Sequence, residues 1–416
     1  MAGRQRGAPS GAGRMSEENP HWRSILGAAC FIIFAVFGSL VSTSGLIGFI
    51  RDDLELSFGA GGFLLSAPFP LIAFFAIAGG RLVDRLGVKK MVLCGVFLTL
   101  LGGVVRLSSG DFWSLASGIA LVGAGLGLVF PVMPKVVGTI VPSERNEFGS
   151  AVYTASIIAG AGLGVAASHY MTPPAAILPA EWGGSVWRGG FLGWALILVA
   201  AFIVWQRNSA SVAVDLSSES APAQSGVVYR LLAVWGVGGS LFFNNIVFYT
   251  SLGWLATVLM TKGWSQANAA LIVSSLPLLG IFASLSAHRM ALAVGGERVM
   301  MVLCGLFTAV ALAVMPAGNA WVAAMGTAVL GLTTNCWFLF CLAYPAQYVE
   351  KSQVGQAGGL IIGMGYLGGF VGPWTIGAIR DWAGSFGPGF YTLAVVSIIG
   401  ISCAPFFGRY ANQGRG

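Results

Sequence analysis

The stretch Gly80-Arg81-Leu82-Val83-Asp84-Arg85-Leu86-Gly87-Val88-Lys89-Lys90 sets four cations and one carboxylate between two apolar runs, Gly61 to Ala78 and Met91 to Val105. A carboxylate this close to hydrocarbon is costly unless something specific holds it. The stretch reads as a short cytosolic loop joining two membrane-spanning helices. A loop that only supplied positive charge would explain the cations, but not the order of Gly80, Asp84, Arg85 and Gly87.

Outward from that knot, the 416-residue chain is 56% hydrophobic and 9% charged. Soluble globular proteins carry roughly a quarter of their residues as Asp, Glu, Lys and Arg, so this surface cannot be mostly wet. The mean hydropathy of +0.81 agrees. The 61 glycines suit membrane helices, whose backbones approach closely over small residues. The class is an all-α polytopic membrane protein.

Apolar stretches of spanning length fall at about 24–50, 59–79, 89–109, 113–139, 148–171, 188–207, 228–258, 267–287, 298–316, 320–346, 356–379 and 389–409. Residues 1–23 read as a disordered cytosolic tail, without a signal-peptide pattern and with Met15 as an alternative start. Six helices in 24–207 and six in 228–410 are joined by a polar linker, 208–227, and 411–416 form a second tail. With this arrangement five of the 22 Lys and Arg lie outside (Arg51, Arg106, Arg188, Lys262, Arg380), and the other 17 lie in the cytosol. That asymmetry puts both termini in the cytosol of a multi-pass plasma (inner) membrane protein. It also assigns the net charge of +7 to orientation, so no nucleic-acid partner is expected.

The two halves repeat each other. Met91-Val92-Leu93-Cys94-Gly95 recurs as Met301-Val302-Leu303-Cys304-Gly305 at a spacing of 210. Ser57 and Ser66 match Ser265 and Ser274, and Gly160 and Gly164 match Gly368 and Gly372, all at 208. Two parallel six-helix repeats related by an axis along the membrane normal make a transporter architecture.

Gly80-x-Leu82-x-Asp84-Arg85-x-Gly87-x-Lys89-Lys90 resembles the signature between the second and third helices of the major facilitator superfamily. Gly358 to Gly377, with Gly372-Pro373 and then Asp381 and Gly384, is similar to that family's eleventh helix, and Trp187-Arg188 ahead of the sixth is a further mark. The resemblance runs from about residue 24 onward. It implies twelve transmembrane helices in two pseudo-symmetric six-helix bundles, moving by alternating access. It also implies a gating role for Gly80, Asp84, Arg85, Gly87, Lys89 and Lys90. In that family the Asp pins the halves together on the cytosolic side; the resemblance implies that its partner here is the helix starting near Gly358-Gly359, with Gly80 allowing the approach. Within the family, Phe248-Tyr249-Thr250, Gly253-Trp254-Leu255, Gly263-x-Ser265, Leu279-Gly280-Ile281, Arg106 and Gly123-x-Gly125 before Pro131 are similar to the cyanate and nitroimidazole permease branch. Ala256 departs from it, standing where that branch usually has proline.

Candidate solute-binding residues follow from the helices that face the cavity in the resembled fold. They are Ser42, with Thr43 and Ser44, on the first helix, and Phe130 and Lys135 on the fourth. The seventh supplies Asn244, Asn245 and Tyr249, and the tenth Asn335, Trp337 and Tyr344. Each has a plainer reading: Lys135 snorkelling to the cytosol, the asparagines bonding helix to helix. Tyr153 and Tyr366 read as packing residues, and Arg106 as an interfacial anchor or an entrance charge. The six cysteines sit in apolar runs without a CxxC pair, and read as small hydrophobes rather than metal ligands. All 15 acidic residues fall in tails, loops or helix ends, so no proton carrier is visible at membrane depth. No cofactor, metal or catalytic cluster is expected.

The expected function is alternating-access transport, secondary active or facilitative, of a small polar or weakly anionic organic solute by a monomer. A multidrug exporter of hydrophobic compounds and a non-transporting receptor on the same fold are the alternatives. If Asp84 pins a gate, Asp84→Asn inserts and folds normally but transports more slowly. Wild-type uptake by a correctly inserted mutant reduces the knot to a charged loop.

Overall fold

The computed structural model describes residues 21–173, 179, 184–208, 231–350 and 353–407; the side chains of residues 79–81, 83–86, 135 and 143 are outside that description. Both expected tails, except their inner residues 21–23, and nearly all of the expected linker therefore lie outside the described residues, as do the side chains of Gly80, Asp84, Arg85 and Lys135.

Among the described residues twelve helices are long and apolar enough to cross a membrane. The first half holds α1 (Trp22–Asp53), α2 (Phe58–Ser66 continued by Phe69–Leu86), α3 (Val88–Ser108), α4 (Phe112–Val129), α5 (Asn146–Tyr170) and α6 (Trp187–Asn208). The second holds α7 (Leu232–Thr261), α8 (Gln266–Leu278 continued by Gly280–Val294), α9 (Glu297–Val314), α10 (Ala320–Tyr348), α11 (Val354–Ala383) and α12 (Gly387–Ile401). No strand occurs among the described residues.

The sequence repeat has structural counterparts. Ser57 starts α2 and Ser265 starts α8 as side-chain N-caps, accepting from the N–H of Ala60 at 3.1 Å and of Asn268 at 3.3 Å. Gly160 and Gly164 let α5 lie on α1, and Gly368 and Gly372 let α11 lie on α7. A Cβ at Gly160 would stand 2.5 Å from the Phe34 carbonyl oxygen, and one at Gly372 would stand 2.7 Å from that of Ile246. Small residues thus replace the hydrophobic effect as the means of bringing membrane helices together.

Two expectations need correction. The knot is not a loop: α2 runs through Asp84 to Leu86, and the turn into α3 is made at Gly87, whose φ of 75° is open to glycine. The α8–α9 turn uses the same device twice, at Gly295 and Gly296 with φ of 100° and 114°. The fourth span is not continuous over 113–139. α4 stops at Val129, Pro131 follows, and a short helix over Met133–Ile140 completes the crossing. Prolines also interrupt α2, at Pro68 and Pro70, and α8, at Pro277.

The halves meet along α2 with α11 and along α5 with α8. Overpacking a tight site costs about 1–3 kcal/mol. Gly372→Leu therefore lowers the melting temperature measured in detergent, whereas Gly138→Ala, at a position with open space around its Cβ, leaves it unchanged.

Candidate solute site and its two closures

Between the halves lies a small cavity. Its walls are Leu40, Val41, Thr43 and Ser44 of α1, Leu65, Pro68 and Phe69 at the break in α2, Ile119 of α4, and Tyr249 and Leu252 of α7. The space is about 10 Å³, enough for one water. Pro68 reaches the cavity because α4 offers no side chain there: a Cβ at Gly123 would stand 2.6 Å from the Pro68 Cα.

Phe69 and Tyr249 of this lining belong to a cluster of five aromatic rings, with Tyr366 of α11, Phe37 of α1 and Phe130 just past the end of α4. Phe69 lies 4.4 Å from Tyr249 and 6.1 Å, nearly parallel, from Tyr366 of α11. Phe130 meets Tyr366 edge-on at 6.5 Å and Phe37 edge-on at 5.7 Å. The Tyr249 and Tyr366 hydroxyls are hydrogen-bond partners across a 6.1 Å ring separation. Gly369 leaves room for the box, since a Cβ there would stand 3.0 Å from both Phe69 and Tyr249. Beside it the buried Tyr153 hydroxyl of α5 has no hydrogen-bond partner. The rings come from both halves, so the box is complete only when the halves are together.

Each end of the α2–α11 seam is closed differently. At one end the Asp381 carboxylate of α11 accepts from the first free N–H groups of α2, from Phe58 at 2.9 Å and Gly59 at 2.6 Å. It thus caps a helix of the other half, where anions are favoured by the positive end of the helix dipole. The Phe58 ring carries the Arg51 guanidinium of its own half at 3.5 Å and the Arg380 guanidinium of the other at 4.1 Å. Trp254 Nε1 donates to the Pro373 carbonyl at 2.9 Å, and the Trp374 N–H donates to Ser66 Oγ at 3.2 Å. Toward the Gly87 end, among the described residues, glycines of α11 pack closely on α2: a Cβ at Gly359 would stand 2.9 Å from the Ala76 carbonyl oxygen, and one at Gly363 2.6 Å from the Ile77 side chain.

The residues singled out from the sequence scatter over this frame. Tyr249 lines the cavity and Phe130 belongs to the aromatic box. Ser42 is buried on the back of α1. Asn245 faces Gly365 of α11, and Asn244 is buried with both amide atoms unpartnered. Asn335 clasps α10 to α8, its amide donating to the Leu276 carbonyl at 2.9 Å. Trp337 donates to Ser240 at 2.8 Å inside the second bundle, and Tyr344 stacks near Tyr348 and Phe407, so neither joins the cavity wall. Phe37, Phe69 and Tyr366 were not singled out; single aromatic residues in apolar runs look like ordinary packing.

Arg106 corrects an expectation outright. It is no interfacial anchor: it is fully buried, donating through Nη1 to the Ser39 carbonyl at 3.0 Å and Ser42 Oγ at 3.3 Å, and through Nη2 to Ser39 Oγ at 2.7 Å. The Phe191 ring covers it at 4.3 Å. None of these partners is a carboxylate.

A family model described as the Major Facilitator Superfamily matches residues 28–373. An uncharacterized transporter of Bacillus subtilis (strain 168), YycB, is 24% identical, covering 89% of this chain and 88% of the relative. The 2-nitroimidazole transporter of Escherichia coli (strain K12) is 25% identical over 85% of this chain and 87% of its own length. The cyanate transport protein CynX of the same organism is 24% identical over 86% and 91%. Among solved structures, a D-xylose-proton symporter superposes with a TM-score of 0.73 at 17% identity, covering 93% of this chain and 97% of its own.

Removing an N-cap costs about 0.5–2 kcal/mol, or up to about thirtyfold in an equilibrium between closed and open states. Asp381→Ala therefore speeds thiol labelling of a cysteine placed at Leu65. An unchanged rate shows that the cap does not hold that end shut.

Proposed function

The chain belongs to the Major Facilitator Superfamily, and on that premise we propose that it carries a small, planar, polar or weakly anionic organic solute through the central cavity by alternating access. The observation that carries this reading is the aromatic box, with its Tyr249 and Tyr366 hydroxyls, built from both halves and shut at both ends of the seam. Flat rings offer stacking faces and hydroxyls offer a few directed hydrogen bonds, which suits a small planar solute. The names of two relatives, a 2-nitroimidazole transporter and a cyanate transport protein, fit that size and shape. Opening one end while the other stays closed would dismantle half the box and free the solute to that side.

Several further features belong to this reading. The halves are residues 24–207 and 228–410, with 208–227 as the linker. The excess of Lys and Arg places the Gly87 end and both termini in the cytosol, and the Asp381 end outside, in a plasma membrane. The reading takes the working unit to be a monomer. Among the described residues no Asp or Glu is buried, so the solute moves without an internal carboxylate as proton carrier.

The test is uptake into proteoliposomes of 2-nitroimidazole, cyanate and benzoate, with and without an imposed pH gradient. Saturable uptake of at least one is expected, at a rate indifferent to the gradient. Tyr249→Phe, which removes one hydroxyl, reduces that uptake by about tenfold, in line with the loss of one buried hydrogen bond. No saturable uptake or counterflow for any of the three overturns the reading.

A further inference from the structure

The buried charge on Arg106 has no role in the site as described so far. Its hydrogen-bond partners are neutral, its Nε has none, and beyond the Phe191 ring at 4.3 Å no ion pair among the described residues offsets it. An isolated cation removed from water is among the costliest groups a protein can bury. A brace between α3 and α1 needs hydrogen bonds, which a neutral side chain can supply without that cost.

The position of the cation matters more than its depth. All its side-chain donations go to Ser39 and Ser42 on one turn of α1. Leu40 and Val41, between those two serines, and Thr43 and Ser44, directly after them, line the cavity. On α4 the relation repeats: Gly118 packs against Arg106, where a Cβ would stand 2.9 Å from the Arg106 Cγ, and its neighbour Ile119 lines the cavity. The guanidinium thus backs the α1 wall, and the stem of the same side chain packs behind the α4 wall. The lining itself holds no charged residue, and Thr43 contributes a buried hydroxyl without a hydrogen-bond partner.

We propose that Arg106 sets the charge preference of the central cavity from behind α1, making it favour an anion over a neutral solute of the same shape without touching either. In a low-dielectric interior the field of an unpaired cation reaches across a helix with little screening. An entering anion supplies the missing counter-charge; a neutral solute does not. The proposal deepens the reading of the cavity as the solute site and rests on it, but its electrostatic content can be measured without knowing the solute.

Full-length protein carrying Thr43→Cys is labelled in proteoliposomes with an anionic and a cationic methanethiosulfonate reagent, using the protein without that change as the background. Both reagents wait for the same opening, so the ratio of their rates cancels gating and reports the cavity potential. Normalised to a free thiol in solution, the ratio favours the anionic reagent by about tenfold or more. It falls at least tenfold on adding Arg106→Gln and stays within about threefold on adding Arg106→Lys, which keeps the charge. Equal normalised rates with Arg106 present overturn the proposal even if Arg106→Gln does not fold, and so does a ratio that Arg106→Gln leaves unchanged. A parallel comparison of benzoate with benzamide separates the two readings. If neither binds, the planar-solute reading fails, while the labelling ratio still decides the role of Arg106.

Discussion

In the proposed cycle the carboxylate of Asp381 on the first N–H groups of α2 is the contact on which the closed state depends. The two bonds, at 2.9 and 2.6 Å, tie α11 to the start of α2 across the seam between the halves. A capping interaction suits a gate. It is directional and made at a helix end that must otherwise be solvated. It is also worth only about 1 kcal/mol, so it can break in every cycle. Phe58, with a guanidinium from each half near its ring, adds a second weak contact at the same place. Several small interactions in one seam give a closure that is cooperative without being permanent.

The interior behind that seam is polar in an uneven way. The first half buries a cation and the serines that hold it; the second buries Asn244 and Ser251 without hydrogen-bond partners. Between them the wall is aromatic, with hydroxyls contributed by Tyr249 and Tyr366. Buried polar groups without partners are expensive, and Thr43, Asn244, Thr250 and Ser251 lie on two of the helices that border the cavity. A solute that satisfies some of them as it binds would be held by the closed state more tightly than by either open one, the differential that any coupled conformational change requires.

Much of this fold was legible from the residues. Hydropathy alone separated the twelve spans, and the 208-residue spacing of Ser57 with Ser265, and of Gly160 and Gly164 with Gly368 and Gly372, anticipated matching caps and matching helix crossings. Local rules also explain where the reading of the knot fell short, since a single glycine with positive φ can replace a loop. The site was less legible, because its parts are set by tertiary contact. Tyr366 looks like packing until Phe69 and Tyr249 are seen beside it. Asp381 looks like a helix end until the start of α2 arrives 322 residues away in sequence. Arg106, at the end of an apolar run, gave no sign that α6 would cover it with Phe191.

The most direct test of the central claim, that the two ends of the seam open in alternation, is a paired distance measurement with spin labels. One pair at Asp52 and Trp382 reports the Asp381 end, and one at Glu147 and Ala293 reports the Gly87 end. The account predicts that conditions lengthening one distance shorten the other, so that the two populations are anticorrelated. Two distances that stay fixed, or that lengthen together, contradict it.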